Sequence, residues 1–288
     1  MKCGKITPNG EYGMNKLSNV LFYTVIARQE PYVHCCAMLK NSLLKTLPDC
    51  NFIAYVTEDF YEKAIEIEPE LKSYLQILND DCVNCDYVGH LKYHKDIFSQ
   101  NYDFFAFVDP DILWFYKDIE KIIDTGFIMR EETISKEDIW HTWPFVWDEK
   151  DKEKFNGHYG INSCCFGLPK KIAQELASFA KNIILSYNNS YDPSEYTSFW
   201  QKIQTQGGIE QSILNKFLIT NMLSDDFYDF NQVQVDMAVG GPNIWSKDKI
   251  TKYVSENLID RTYHFILMNH GETKYEHMKH FLEEYNSK

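Results

Sequence analysis

Phe104-Phe105-Ala106-Phe107-Val108-Asp109-Pro110-Asp111-Ile112-Leu113 joins five consecutive apolar residues to two acids set around a proline. An apolar run without alternation describes a strand buried on both faces, as in the middle of a parallel sheet. Pro110 has no N–H to give to a neighbouring strand, so the chain leaves the sheet there. Asp109 and Asp111 therefore emerge together at the carboxyl end of the strand. Two such carboxylates repel each other and one pKa rises, unless a divalent cation with oxygen-ligand preference, Mn²⁺ or Mg²⁺, sits between them. Asp-Pro-Asp also starts plain turns readily, and the tripeptide by itself leaves both readings open.

On the amino-terminal side, Val20-Leu21-Phe22-Tyr23-Thr24-Val25-Ile26-Ala27 is another uninterrupted apolar run suited to a central strand. Tyr32, Cys36, Leu39 and Leu43 recur at helical spacing, and Phe52-Ile53-Ala54-Tyr55-Val56 reads as a second strand. Further helices are expected around Pro69 to Leu78 and from Leu91 to Ser99. This strand–helix alternation predicts an α/β fold with a mostly parallel sheet covered on both faces. On the carboxyl-terminal side, residues 131–165 are rich in Trp, His, Asp and Lys with weak periodicity, which predicts a long loop region bordering a site. Ile172, Leu176, Phe179 and Ile183 mark an amphipathic helix beginning near Pro169. Gly207-Gly208 precedes another helix, with Ile213, Phe217 and Leu218. A late strand, Tyr263 to Met268, leads into His270-Gly271. No repeat or linker interrupts the sequence, so one domain over residues 1–288 is expected. Its ligands should lie beyond the carboxyl ends of the strands.

Composition narrows the function. With 288 residues, 44% of them hydrophobic, the chain can bury a substantial core, which excludes disorder and a disulfide-stapled miniprotein. The 42 acidic against 29 basic residues, a net charge of -13, argue against nucleic acid as a partner, because phosphate neutralisation needs clustered Lys and Arg. An anionic substrate must then be met by a local device such as a metal ion. The 15% aromatic content suits stacking on rings. The eight cysteines form no disulfide framework: Cys35-Cys36 and Cys164-Cys165 are adjacent pairs, and Cys82 with Cys85 is a lone CxxC without zinc partners. Reduced, structural thiols imply the cytoplasm, where a position at the periphery of a membrane stays open. Met1 to Val20 holds no apolar run long enough for a signal peptide, and no transmembrane segment is expected.

The strand followed by Asp-Pro-Asp resembles the DxD motif of glycosyltransferases with the GT-A fold, in particular family 8, the glycogenin and bacterial galactosyltransferase type. In that family a metal bridges the carboxylates and the diphosphate of a nucleotide-sugar. Other segments follow the family's order. Thr24-Val25-Ile26-Ala27 resembles its nucleoside-contacting segment, followed by Tyr32 and by a helix carrying Asn41-Ser42-Leu43-Leu44. Lys92 and Lys95 stand where the family places a basic residue before the DxD strand. Gly160-Ile161-Asn162-Ser163-Cys164 is similar to the segment shaping the donor-sugar pocket, and Glu210-Gln211-Ser212-Ile213-Leu214-Asn215 to the Asp-Gln…Leu-Asn element. Glu210 replaces the usual Asp, and Ser163-Cys164 replaces Ala-Gly. The carboxyl-terminal signature survives only as Tyr263-His264-Phe265 and His270-Gly271-Glu272-Thr273-Lys274.

The resemblance implies a GT-A, Rossmann-like fold with a nucleotide-binding half at about 19–112 and an acceptor and donor-sugar half at about 113–288. It implies a UDP- or GDP-sugar donor, a glycan or glycoconjugate acceptor and a retaining outcome. Asp109, Asp111 and His264, with His270 as the alternative, would be metal ligands. Thr24, Ala27, Tyr32, Lys92, Pro110, Asn162, Ser163 and Lys274 would bind the donor. Glu210 and Gln211 would face the anomeric centre, as a nucleophile or as a shield for front-face displacement. Trp143, His158 and Tyr159, with Trp140, His141 and Trp147 nearby, are candidates for an acceptor platform; buried aromatics pinning a loop explain them as well. Other classes remain as alternatives. A haloacid dehalogenase-type phosphatase also carries Asp-x-Asp after a strand, with Asp225-Asp226 as its later acids, although Leu113 and a strand this far along the chain suit it poorly. A nucleotidyltransferase lacks its Gly-rich loop here, since Ala27-Arg28-Gln29-Glu30 has no glycine. A non-catalytic carbohydrate-binding protein would need no cooperation between the acids and a histidine.

Overall fold

The apolar runs lie side by side in a computed structural model of the chain, which describes residues 16–26, 28–79, 88–133, 141–142, 146–190, 209–221, 223–237, 245–257, 260–266 and 271–288. Strands β1 (Val20–Val25), β2 (Asn51–Val56), β3 (Leu75–Ile77) and β4 (Phe104–Val108) pair in parallel in the order β3-β2-β1-β4, with Leu21 opposite Phe105 and Phe22 opposite Phe52. Beyond β4 the sheet continues through β7 (Tyr159–Pro169), β6 (Phe127–Thr133) and β8 (Tyr228–Asp229). Pairing is antiparallel at β4/β7 and β7/β6 and parallel at β6/β8. The result is a mixed α/β fold with a mostly parallel central sheet.

Alternation along β1 divides the core. Leu21, Tyr23 and Val25 pack with Phe105 and Phe107 beneath helices α5 (Lys170–Ser190) and α6 (Ile209–Thr220). Val20 and Phe22 face the other way, with Ala106, Val108 and Trp114, beneath α1 (Glu30–Thr46) and α2 (Glu58–Ile67). Both faces are therefore dry, which is why these strands read as continuous apolar runs. A smaller sheet of β5 (Ile112–Trp114), β10 (Thr262–His264) and β9 (Gln234–Asp236) stands beside the first. Leu113, Tyr263 and Phe265 pack there with Cys35 and Met38 of α1, Ile250 and Val254 of α7 (Lys247–Glu256), and Phe281 of α8 (Gly271–Asn286).

Several sequence expectations give way. Leu71, Leu75 and Leu78 mimic helical spacing, but the segment from Pro69 makes one 3-10 turn and then β3, because the open edge of β2 recruits it: Ala54 N–H donates to Tyr74 O at 2.8 Å and Leu78 N–H to Val56 O at 2.9 Å. The expected helix from Leu91 to Ser99 is split into a 3-10 segment, Val88–Tyr93, and a single turn, α3 (Lys95–Phe98), started by the His94 cap. Residues 131–165 are not one long loop, since β6 and β7 bracket them in antiparallel pairing with α4 (Glu149–Phe155) between, capped by Asp148 on Asp151 N–H at 2.8 Å. Gly160, Asn162 and Ser163 obscured the strand period of β7, and two register shifts irregularise its pairing with β6. The late strand stops at His264, and Met268 lies outside the described residues. Gly167, where β7 passes β6, permits close approach: a Cβ there would run into the Phe127 and Phe104 rings.

Candidate metal centre and cleft

The Asp-Pro-Asp tripeptide is a turn, closed by Ile112 N–H on Asp109 O at 3.2 Å, and it also presents ligand atoms. Asp109 N–H is held by Cys164 O of β7 at 2.8 Å. The third group comes from the small sheet. β10 runs antiparallel to β5 with His264 opposite Ile112, and Phe265 N–H donates to Asp111 O at 3.0 Å. Asp109, Asp111 and His264 thereby offer one ligand atom each, all within 4.8 Å of one another. His264 Nε2 lies 3.6 Å from Asp111 Oδ1. His270 lies outside the described residues.

Two lysines flank the acids. Lys274 of α8 pairs with Asp111 Oδ2, donates to the Tyr32 hydroxyl at 3.2 Å and sits 5.1 Å above the Tyr32 ring. Lys92, 1% exposed, donates to Ser163 O at 3.2 Å, and its Nζ lies 3.7 Å from Asp109 Oδ1 and 3.6 Å from Glu210 Oε1. The Phe107 ring forms the floor beneath this ammonium, 4.3 Å away. Burial pushes the Asp109 carboxyl up against the pull of Lys92, with Asp111 adding to the rise. Burial acts on Asp111 as well, but Lys274 and His264 outweigh it and hold that carboxyl below its ordinary range. At His264 burial opposes the charged ring, and Cys164, Asp111 and Asp236 together raise its pKa.

Asp109, Pro110, Asp111, His264, Tyr32, Lys92 and Lys274 all line one cleft, about 640 Å³ of open space at the carboxyl ends of β1 and β4. Val25 lines it too, whereas Thr24, one residue earlier, is fully buried and is absent from that lining. The two-residue period of a strand is the reason. Ala27 and Trp143 lie outside the described residues. Glu210 and Gln211 open α6. Tyr93 hydroxyl donates to Glu210 O at 2.8 Å, and Gln211 Oε1 accepts from Ser163 N–H at 3.3 Å. Asn215, one turn on, accepts from Ile161 N–H at 2.8 Å and donates to Ile161 O at 2.7 Å, clamping α6 onto β7.

A second, shallower basin of about 980 Å³ is lined by Arg130, Glu131, Tyr159, Asn162, Asp229 and Asp236, among others. Asn162 Nδ2 donates to Glu131 Oε1 at 2.7 Å, and Tyr159 hydroxyl to Asp225 at 2.9 Å. His158 contacts the Tyr159 carbonyl at 3.0 Å and lines neither cavity. Trp147 is buried in the core with Nε1–H donating to Ser212 O at 3.2 Å, a structural anchor. Two groups, Glu131 and Asp236, have no place among the sequence expectations, and His141 has one only as a neighbour of the acceptor candidates. Glu131 Oε2 lies 2.6 Å from His141 Nε2, itself 2.9 Å from Gln211 Nε2, and Asp236 Oδ1 lies 3.2 Å from His264 Nδ1. Only the short Gln-Val-Asp alternation at 234–236 signalled the last.

Fold and site together define an α/β protein with a potential cation-ligating triad at the carboxyl end of its parallel strands. The chain is similar to the crystal structure of a galactosyltransferase, LgtC, in complex with donor and acceptor sugar analogs, with 11% identity over 93% of this chain and 95% of that one and a TM-score of 0.48. A structure of an active-site mutant of LgtC gives 10% identity over 93% and 95%, again with a TM-score of 0.48. No family model matches the sequence, and a search of curated proteins found no match. Among the described residues no helix is long and apolar enough to cross a membrane.

Proposed function

We propose that this chain is a metal-dependent glycosyltransferase of the GT-A type, moving a sugar from a UDP- or GDP-sugar to a glycan or glycoconjugate acceptor with retention of configuration. The observation that carries this reading is Asp111 Oδ1, a buried carboxylate oxygen without a hydrogen-bond partner among the described residues, facing His264 Nε2 beside Asp109. A bare buried oxygen of this kind is costly, and a cation offsets the cost. Two carboxylates and an imidazole suit Mn²⁺ and accept Mg²⁺. When bound, such an ion supplies Lewis-acid stabilisation of the diphosphate as it leaves.

The protein's own groups complete the site. Lys274 adds positive charge at the cleft wall for the leaving oxygens, and Tyr32 presents its ring where a nucleoside would lie. Lys92 draws Glu210 toward Asp109, so the carboxylate at the start of α6 faces the place where oxocarbenium-like charge develops. Gln211 is tied to Ser163 beside it. The neighbouring basin, with Tyr159 on its wall, would take the acceptor, and Asn162, expected at the donor, lines this basin and not the cleft. Residues 19–112 then furnish most of the donor half, and His264 and Lys274 reach in from the second half. The buried, free Cys35, Cys36, Cys50, Cys164 and Cys165 suit a reducing cytoplasm. In the phosphatase reading Asp225 and Asp226 would serve as late acids, but neither is among the residues lining the cleft.

A thermal-shift panel of UDP- and GDP-sugars with and without Mn²⁺ tests the proposal. The expected result is stabilisation that requires Mn²⁺ and disappears in Asp111→Ala; no shift with any donor overturns the donor reading, and hydrolysis of phosphomonoesters without nucleotide supports the phosphatase instead. A product of inverted anomeric configuration overturns the retention part alone.

A further inference from the structure

We propose that Asp236 is a positioning residue for His264: it fixes the ring so that Nε2, and not Nδ1, presents its lone pair to the cation held with Asp109 and Asp111. This rests on the reading of the triad as a metal site.

The register of the small sheet creates the contact. β9 and β10 run parallel with His264 beside Asp236, and Met237 N–H donates to His264 O at 2.7 Å, which locks the two strand ends together. Asp236 Oδ1 then receives His264 Nδ1 at 3.2 Å and Gln234 Nε2 at 3.0 Å. Gln234 is buried, so it holds the carboxylate from below while 46% of the Asp236 side chain stays exposed on the basin.

A neutral imidazole, the form that ligates a metal, carries one N–H. With the hydrogen on Nδ1, the Asp236 carboxylate accepts it and Nε2 is open toward the acids. With the hydrogen on Nε2, the ring faces Asp111 Oδ1 at 3.6 Å, an oxygen with no other hydrogen-bond partner among the described residues, and the ligand position is closed. His264 is 7% exposed, and Asp111, Asp236 and Cys164 are the protein groups against its ring. Asp236 favours the first arrangement and makes Nε2 a better donor to the ion, as carboxylates behind metal-bound histidines do.

The experiment is titration of the metal-free full-length protein with Mn²⁺ alone, read by the loss of the free-ion electron paramagnetic resonance signal, with Asp236→Ala, Asp236→Asn and Asp111→Ala beside the wild type. Asp236→Ala should bind Mn²⁺ about 10- to 100-fold more weakly. Asp236→Asn, whose amide oxygen still accepts from Nδ1 but without charge, should lose about 3- to 10-fold. Unchanged Mn²⁺ affinity in either Asp236 variant overturns the proposal; if the alanine variant does not fold, the asparagine variant decides. Wild type that binds no Mn²⁺, or Asp111→Ala that binds as well as wild type, overturns the metal reading itself, a distinct result. Melting temperatures measured without metal separate a ligand-positioning role from a structural one: a loss of affinity without a matching loss of apo stability supports positioning, and a loss of both in proportion overturns it.

Discussion

Replacing Lys92 with methionine tests the electrostatics of the cleft most directly. Methionine keeps the apolar stem over Phe107 and removes only the ammonium, which lies 3.7 Å from Asp109 Oδ1 and 3.6 Å from Glu210 Oε1. Buried Glu210 and partly exposed Asp109 are then left without their shared counter-charge, and removal of one partner of a buried ion pair costs about 3–5 kcal/mol. At about 2 °C per kcal/mol for a chain of this size, the melting temperature should fall by about 6–10 °C near neutral pH. The loss should depend on pH with a definite sign. Burial already raises the Asp109 carboxyl and Lys92 opposes that rise, so the variant carboxyl lies higher still. A native group with a raised pKa binds more protons than the unfolded chain, so its stability is full below the unfolded carboxylate range and is lost as pH rises through the folded value. The deficit relative to wild type should therefore be larger at about pH 8 than at about pH 5. Melting curves followed by tryptophan fluorescence at both pH values give the answer. A variant as stable as wild type at the higher pH, or a deficit that grows on acidification, would refute the assignment of Lys92 as the counter-charge of these two acids.

Two further substitutions probe how the walls of the cleft are held. Asn215→Leu removes both partners of the buried Ile161 amide, and two unsatisfied buried groups should cost about 2–5 kcal/mol, measured as a shift in urea midpoint; a change below about 0.5 kcal/mol would contradict the clamp. Gly167→Ala drives a methyl group into the Phe127 and Phe104 rings and should cost about 1–3 kcal/mol by overpacking. The same change made with both rings trimmed, Phe127→Leu and Phe104→Leu, should cost clearly less, and additive losses in that cycle would sink the steric account.

The strands that bear the acids were legible because burial on both faces writes itself as unbroken apolar runs at 20–25 and 104–108, and Pro110 marks where the chain must leave the sheet. Strand alternation turns Val25 into the cleft and leaves the side chain of Thr24 buried beneath it, which the resemblance of the segment could not distinguish. That His264 stands beside Asp109 and Asp111 was not legible locally: it depends on β10 pairing with β5, a contact between distant parts of the chain that no short-range pattern encodes. Lys92 and Lys95 were equally eligible as the basic residue before the DxD strand, and only the packing of β4, β7 and α6 around Lys92 makes it the buried one. Asp236 had no signal beyond a three-residue alternation, since its significance arises from the register of β9 against β10. The antiparallel pairing of β6 and β7 was hidden because β7 carries Gly160, Asn162 and Ser163 at its start, which break the alternation a strand shows.

The small sheet also orders events in time. Asp109 and Asp111 are made well before His264 and Lys274, and chains on the ribosome tend to fold from the amino terminus as they emerge. Until β10 closes against β5 and α8 brings in Lys274, the acidic pair has only Lys92 beside it. A chain released early would hold the donor-facing strands but lack an imidazole and an ammonium of the cleft. Completion of the cleft thus reports completion of this stretch of synthesis.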